Sequence, residues 1–142
     1  MKAATEHTVP ISKQAVKLLH EQQEISGKTG WVFPNQRRPE ACMSATTINR
    51  ALERMGFNGP NTMGLAAHGF RGTASTHLHE LGFDSELVEI QLAHTPGNKV
   101  KAAYSAAKFL PKRTEMMQNW ADYLDETRSG GSTLIQAPSI SA

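Results

Sequence analysis

Four residues of this chain join types that hold phosphate and move protons to a spacing that could bring them together: His68, Arg71, His94 and Tyr104. The first two lie in AAHGFRGTASTHLHELG, residues 66–82, which reads as one helix stopped by Gly82. Residues three apart on a helix have Cβ atoms about 5–6 Å apart, so His68 and Arg71 can grip one small anion together. The helix continues to about Leu81, roughly 15 Å beyond Arg71. The chain then turns at Gly82–Asp84 and returns over about nine residues, roughly 13 Å, which can bring His94 back near Arg71. Pro96 and Gly97 break the next helix and let the chain fold back. Tyr104 can therefore reach the same point. The spacing permits the four to converge without requiring it.

Arginine offers a planar fork of donors matched to phosphate oxygens. Histidines donate hydrogen bonds or move protons near neutral pH. Tyrosine can attack phosphorus and form a covalent phosphotyrosine. Its reference pKa near 10 leaves about a thousandth ionised at pH 7, so a base and a cation must activate it. The sequence has no paired carboxylates and no phosphate-binding glycine loop to hold a metal or ATP. That fits transesterification, in which the bond energy is kept in the link to the enzyme, with no cofactor.

The elements must position these groups. The 142 residues are enough for one ordinary domain burying roughly two thirds of its unfolded surface. Apolar residues make up 39% and charged residues 20%, with a net charge of +2. A pI near 8.8 is compatible with a nucleic-acid partner. The single cysteine, Cys42, excludes an internal disulfide and a cysteine-rich zinc site. No stretch reaches 18 apolar residues and the N-terminus lacks a signal h-region, so the expectation is a soluble protein of a reducing cytoplasm.

The pattern is mostly helical with a small β element. EHTVPIS reads as an extended piece before an N-cap at Ser12, with Ile11, Ala15, Leu18 and Leu19 at helical spacing. A loop with a short strand at Trp31–Phe33 follows. Ser44 can cap a helix whose stripe is Ile48, Ala51, Leu52 and Met55. After the His68 helix, Asp84 or Ser85 caps a helix to about Ala93. A short helix is expected over Val100–Ala107. A long one runs from Pro111, a favoured first position, to about Thr127. Residues 1–128 form the domain, and 129–142, low in charge and rich in small residues, form a tail expected to be disordered.

HGFRGTAST, LAHTPGNKVKAAYSAA and MMQNWADYLD together resemble the tyrosine recombinase, or phage integrase, family, and most of all the integrases of P4-type prophages and genomic islands. The family pattern is an arginine, a lysine, His-x-x-Arg, a His or Trp, and a tyrosine. His68 and Arg71 match the third element, His94 the fourth and Tyr104 the nucleophile. MKAATEHTVPIS is similar to the family's β-hairpin, which makes Lys2 the catalytic lysine. The family's first arginine lies upstream of that hairpin, so the chain corresponds to the C-terminal part of a catalytic domain of the DNA breaking–rejoining fold. By itself it is expected to cleave little or not at all.

The resemblance implies site-specific recombination of double-stranded DNA at attachment sites. Tyr104 would form a 3′-phosphotyrosine, and a tetramer of the full-length protein and a directionality factor would be partners, in a bacterial cytoplasm. Residues 95–113 carry Lys99, Lys101, Lys108, Lys112 and Arg113 with no acid. Beside a tyrosine nucleophile such a run is expected to meet DNA backbone; Lys99, Lys101 and, on an earlier helix, Arg50 are the DNA-binding candidates. His77 and His79 lie on different sides of their helix and are read as non-catalytic, His7 as structural, and Trp120 with Met117, Ala121 and Leu124 as a packing stripe. Two rivals share these features: a type IB topoisomerase, which relaxes one duplex instead of joining two, and a non-catalytic DNA-binding remnant. A plain helical interaction domain would lack the steep salt dependence of phosphate contacts.

Overall fold

The computed structural model describes residues 7–27, 30–93 and 109–130. They form α1 (Lys13–Ser26), α2 (Thr47–Arg54), α3 (Gly69–Glu80), α4 (Ser85–Gln91) and α5 (Leu110–Arg128). The one β pairing among the described residues is an antiparallel bridge between Pro34 and Cys42. The architecture is mostly helical, as the pattern predicts. No helix of the described residues is long and apolar enough to cross a membrane.

The described residues divide into two compact units, 7–14 with 74–93 and 109–130, and 15–27 with 30–73. The first unit holds the core. Leu78 of α3, Leu87 and Val88 of α4 and Met116 of α5 are buried together, flanked by Phe83, Leu92, Phe109, Met117 and Trp120. Gly82, with φ 82°, reverses the chain after α3 in a conformation that costs glycine little. Asp84 then accepts a 2.7 Å bond from the Glu86 N–H and caps α4, as its place in the sequence predicts. Pro111 sits in the first turn of α5.

Polar contacts join the start of α1 to α5. The Lys13 N–H donates to Gln118 Oε1 at 3.0 Å, Gln14 Nε2 donates to Asp122 Oδ1, and Gln118 Nε2 donates to Gln14 Oε1 at 2.8 Å. His77 contacts Glu80 at 3.0 Å and packs its ring against Trp120 and Tyr123. His79 Nδ1 lies 2.7 Å from the Ser75 carbonyl.

Several expected details differ. No strand forms at Trp31–Phe33: the pairing centres one residue later, with Asn35 N–H to Ala41 O and Met43 N–H to Phe33 O, both 2.8 Å. The Ala41 N–H turns back to the Arg38 carbonyl at 2.9 Å instead of crossing to Asn35, so the pairing stays an isolated bridge. The Trp31 indole instead donates to the Glu40 carbonyl at 2.9 Å. The α1 stripe is not buried; Leu18 is 64% exposed, and α1 contains no buried residue. On α2 only Leu52 of the four stripe residues is buried. Ser44 binds the Thr46 and Thr47 hydroxyls instead of capping the helix through its side chain.

The end of α4 also differs. The helix stops at Gln91, ahead of the Pro96–Gly97 break, because Ala93 takes φ 53°. The expected helix at 100–107 and the 131–142 segment lie outside the described residues, and the extent of the domain and its tail remains an expectation.

Replacing Asp84 with Ala removes the α4 cap and is expected to cost about 1 kcal/mol. That corresponds to a fall in melting temperature of roughly 3 °C for a chain of this size. Asp84→Asn, which keeps the acceptor, should melt near wild type; thermal denaturation followed by circular dichroism measures both.

Candidate functional site

His68 stands one residue before α3 and is exposed; Arg71 is the third residue of α3 and is half-buried. The chain enters the helix through tight turns, with Gly69 N–H to Ala66 O at 2.8 Å and Arg71 N–H to His68 O at 3.2 Å. A side chain of α2 fixes this entry: Asn49 Oδ1 accepts the Ala67 N–H at 2.8 Å. Thr73 Oγ1 returns a 3.1 Å bond to the Gly69 carbonyl. The pair thus stands at a held helix start, where the aligned peptide dipoles of α3 add partial positive charge to that of the guanidinium. An anion met there finds Arg71 donors and an imidazole within one turn of each other.

The structure bears on only part of the predicted site. His68, Arg71 and Arg50 are described. His94, Tyr104, Lys2, Lys99 and Lys101 lie outside the described residues. Of the approach to His94, α4 and its end are described, up to Ala93. Among the described residues no group of three His, Cys, Asp or Glu could hold a metal ion.

Arg50 opens onto a groove of about 850 Å³ within the second unit. Arg37 from the Pro34–Pro39 loop and Arg54, one turn after Arg50, line it too. The Arg37 and Arg38 N–H groups donate to Asn35 Oδ1, which shapes that loop. None of the described lining residues is acidic, and Phe33, Ile25 and Met43 supply apolar surface to the same groove. Arg54 was legible as the i+4 partner of Arg50 on one helix face. Arg37 carried no periodic signal.

One reading of the basic run is corrected. Arg113, counted with the cations expected to meet DNA backbone, is fully buried, while the neighbouring Lys112 is exposed. Its Nε donates to Gln91 Oε1 at 3.0 Å and its Nη2 to the Thr8 carbonyl at 2.8 Å. Burial pushes its pKa below the usual value for arginine. The guanidinium stays charged at any physiological pH.

Residues 1–110 match the phage integrase family. The chain belongs to this family. The matched span includes positions 2, 68, 71, 94 and 104 and ends before Arg113. Among curated proteins, the chain is 38% identical over 140 residues to prophage integrase IntA of Escherichia coli (strain K12), covering 99% of this chain and 33% of that protein. It is 40% identical over 137 residues to prophage integrase IntZ of the same strain, covering 96% of this chain and 33% of IntZ. It is 40% identical over 131 residues to the integrase of Enterobacteria phage P4, covering 91% of this chain and 29% of that integrase. The chain thus spans about a third of the length of these relatives. No solved structure matches it significantly.

Asn49→Ala should loosen the entry to α3 selectively. The expected cost is about 0.5–1.5 kcal/mol, the usual net value of one hydrogen bond. Amide exchange at Ala67 should quicken while the α4 amides keep wild-type protection; equal loosening of both elements would contradict a local role.

Proposed function

We propose that this chain carries the strand-transfer residues of a site-specific tyrosine recombinase acting on double-stranded DNA. The observation that supports it most is the His-x-x-Arg pair at the held start of α3 in a chain of the phage integrase family. Its relatives are named integrases, two of them prophage integrases. The reading extends that activity to this chain.

In this mechanism the Tyr104 oxygen attacks the scissile phosphorus. The bond from phosphorus to the 5′-oxygen breaks as the bond to tyrosine forms, leaving a 3′-phosphotyrosine. Arg71 and His94 donate to the non-bridging oxygens, where positioning and electrostatic stabilisation do most of the work of phosphoryl transfer. His68 assists the proton leaving Tyr104, and Lys2 protonates the departing 5′-oxygen. A free 5′-hydroxyl from a second duplex then attacks the phosphotyrosine and regenerates Tyr104. One phosphodiester is exchanged for another, so neither ATP nor a redox partner is consumed.

Binding is a separate task. Arg50 contacts the DNA backbone from its groove, with Arg37 and Arg54 beside it, and Lys99 and Lys101 contact the backbone near Tyr104. Such contacts release counterions and make affinity fall steeply with salt. The full-length protein works as a tetramer on its attachment sites, with a directionality factor, in the bacterial cytoplasm.

Two variants test the reading in the full-length protein. Tyr104→Phe loses only a hydroxyl, so it should abolish covalent attachment to a nicked suicide substrate and leave duplex affinity nearly intact. A persistent adduct would sink the assignment of the nucleophile. Arg71→Lys keeps the charge but loses the two-pronged geometry. Its single-turnover cleavage should fall by about 10²–10³, the usual cost of one transition-state donor. Its melting temperature and affinity at two salt concentrations should stay near wild type. Wild-type cleavage by this variant would remove Arg71 from the site.

A further inference from the structure

Arg113 is the largest of the fully buried side chains among the described residues, and it is a cation. A leucine or methionine could fill similar space without desolvating a charge. Two of the bonds it makes suggest what the charge is for. Nε holds Gln91, the last residue of α4, and Nη2 holds the Thr8 carbonyl, in the segment ahead of α1. Gln91 precedes His94 by three residues, and Thr8 follows Lys2 by six. Between Gln91 and His94 the direction of the chain is constrained again by Ala93 at φ 53°, a conformation most side chains avoid.

We infer that Arg113 is a positioning residue of the strand-transfer reaction, whose rigid fork sets the two chain segments that lead to Lys2 and to His94. The inference rests on the assignment of those two residues in the proposed mechanism. A guanidinium is planar, so the angle between the bonds it donates to Gln91 and Thr8 is fixed. Because the Thr8 acceptor is a backbone carbonyl, that bond registers the chain itself and not a movable side chain. Lysine at this position would keep the charge but direct its donors from a single flexible point.

The test uses Arg113→Lys in the full-length protein. Three quantities are read: melting temperature, duplex affinity and the single-turnover rate of the Tyr104 adduct. The rate is measured on ordinary DNA and on DNA with sulfur in place of the 5′-bridging oxygen. A thiolate leaves without needing a proton, so the sulfur substrate bypasses Lys2. Affinity should hold while the adduct rate on ordinary DNA falls about ten-fold or more, part of the 10²–10⁴ that a positioned acid can contribute. The fall on the sulfur substrate should be clearly smaller. An equal fall on both substrates, or no fall, overturns the inference.

Should Arg113→Lys not fold, Gln91→Leu decides, since it removes only the acceptor on the His94 side. Its adduct rate should fall on both substrates alike with its melting temperature near wild type. An unchanged rate overturns the inference. Failure of the wild type to form an adduct would instead defeat the recombinase reading itself.

Discussion

The first unit depends on a small apolar contact among helices that could not stand alone. A seven-residue α4 has almost no intrinsic stability, because isolated helices shorter than about 12–15 residues are marginal in water. It exists because Leu87 and Val88 reach Leu78 of α3 and Met116 of α5. Val88 and Met116 are both 0% exposed, so each contributes its full burial. The Gly82 turn and the Asp84 cap then only have to aim a helix that packing already favours.

A core with so few fully buried side chains among the described residues leaves polar contacts to define geometry that apolar packing cannot. Apolar contact is non-directional and tolerates sliding. The Gln14–Gln118–Asp122 group and the Arg113 fork are directional, and each joins α5 to a segment more than a hundred residues away in sequence. The cost is a desolvated charge, acceptable only when its hydrogen bonds are made with good geometry. Arg113 therefore adds little to net stability and much to register, the reverse of what Val88 does.

What was legible in the sequence was local. The α3 segment, Gly82, the Asp84 cap and Pro111 are each determined by a residue and its near neighbours, and each stands where the pattern puts it. The family pattern added His68 and Arg71 as candidates, and the structure puts them together at the start of α3. Illegible were features decided by distant partners. Trp31–Phe33 reads as a strand, yet the segment opposite turns back on itself, Ala41 N–H to Arg38 O, and leaves only the bridge at Pro34. Arg113 has the composition of a solvated cation and is buried because Gln91 and Thr8 lie where they can accept from it. Charge in a sequence indicates what a side chain can do, not on which side of the surface it is.

That distinction separates two uses of the same residue type. Arg37, Arg50 and Arg54 line an open groove with no acid among its described lining residues, where water still screens them and each would add modestly to the proposed hold on a polyanion. Arg113 has left water and acts on the chain. Arg71 lies between these extremes, half-buried at a helix start whose approach Asn49 holds. A group meant to stabilise charge that develops only in a transition state has to stay reachable by substrate and yet be held before substrate arrives. Full exposure loses the second property and full burial loses the first. The first turn of α3, with its backbone closed by Gly69 and Thr73 and His68 exposed at its start, suits the role proposed for Arg71 on both counts.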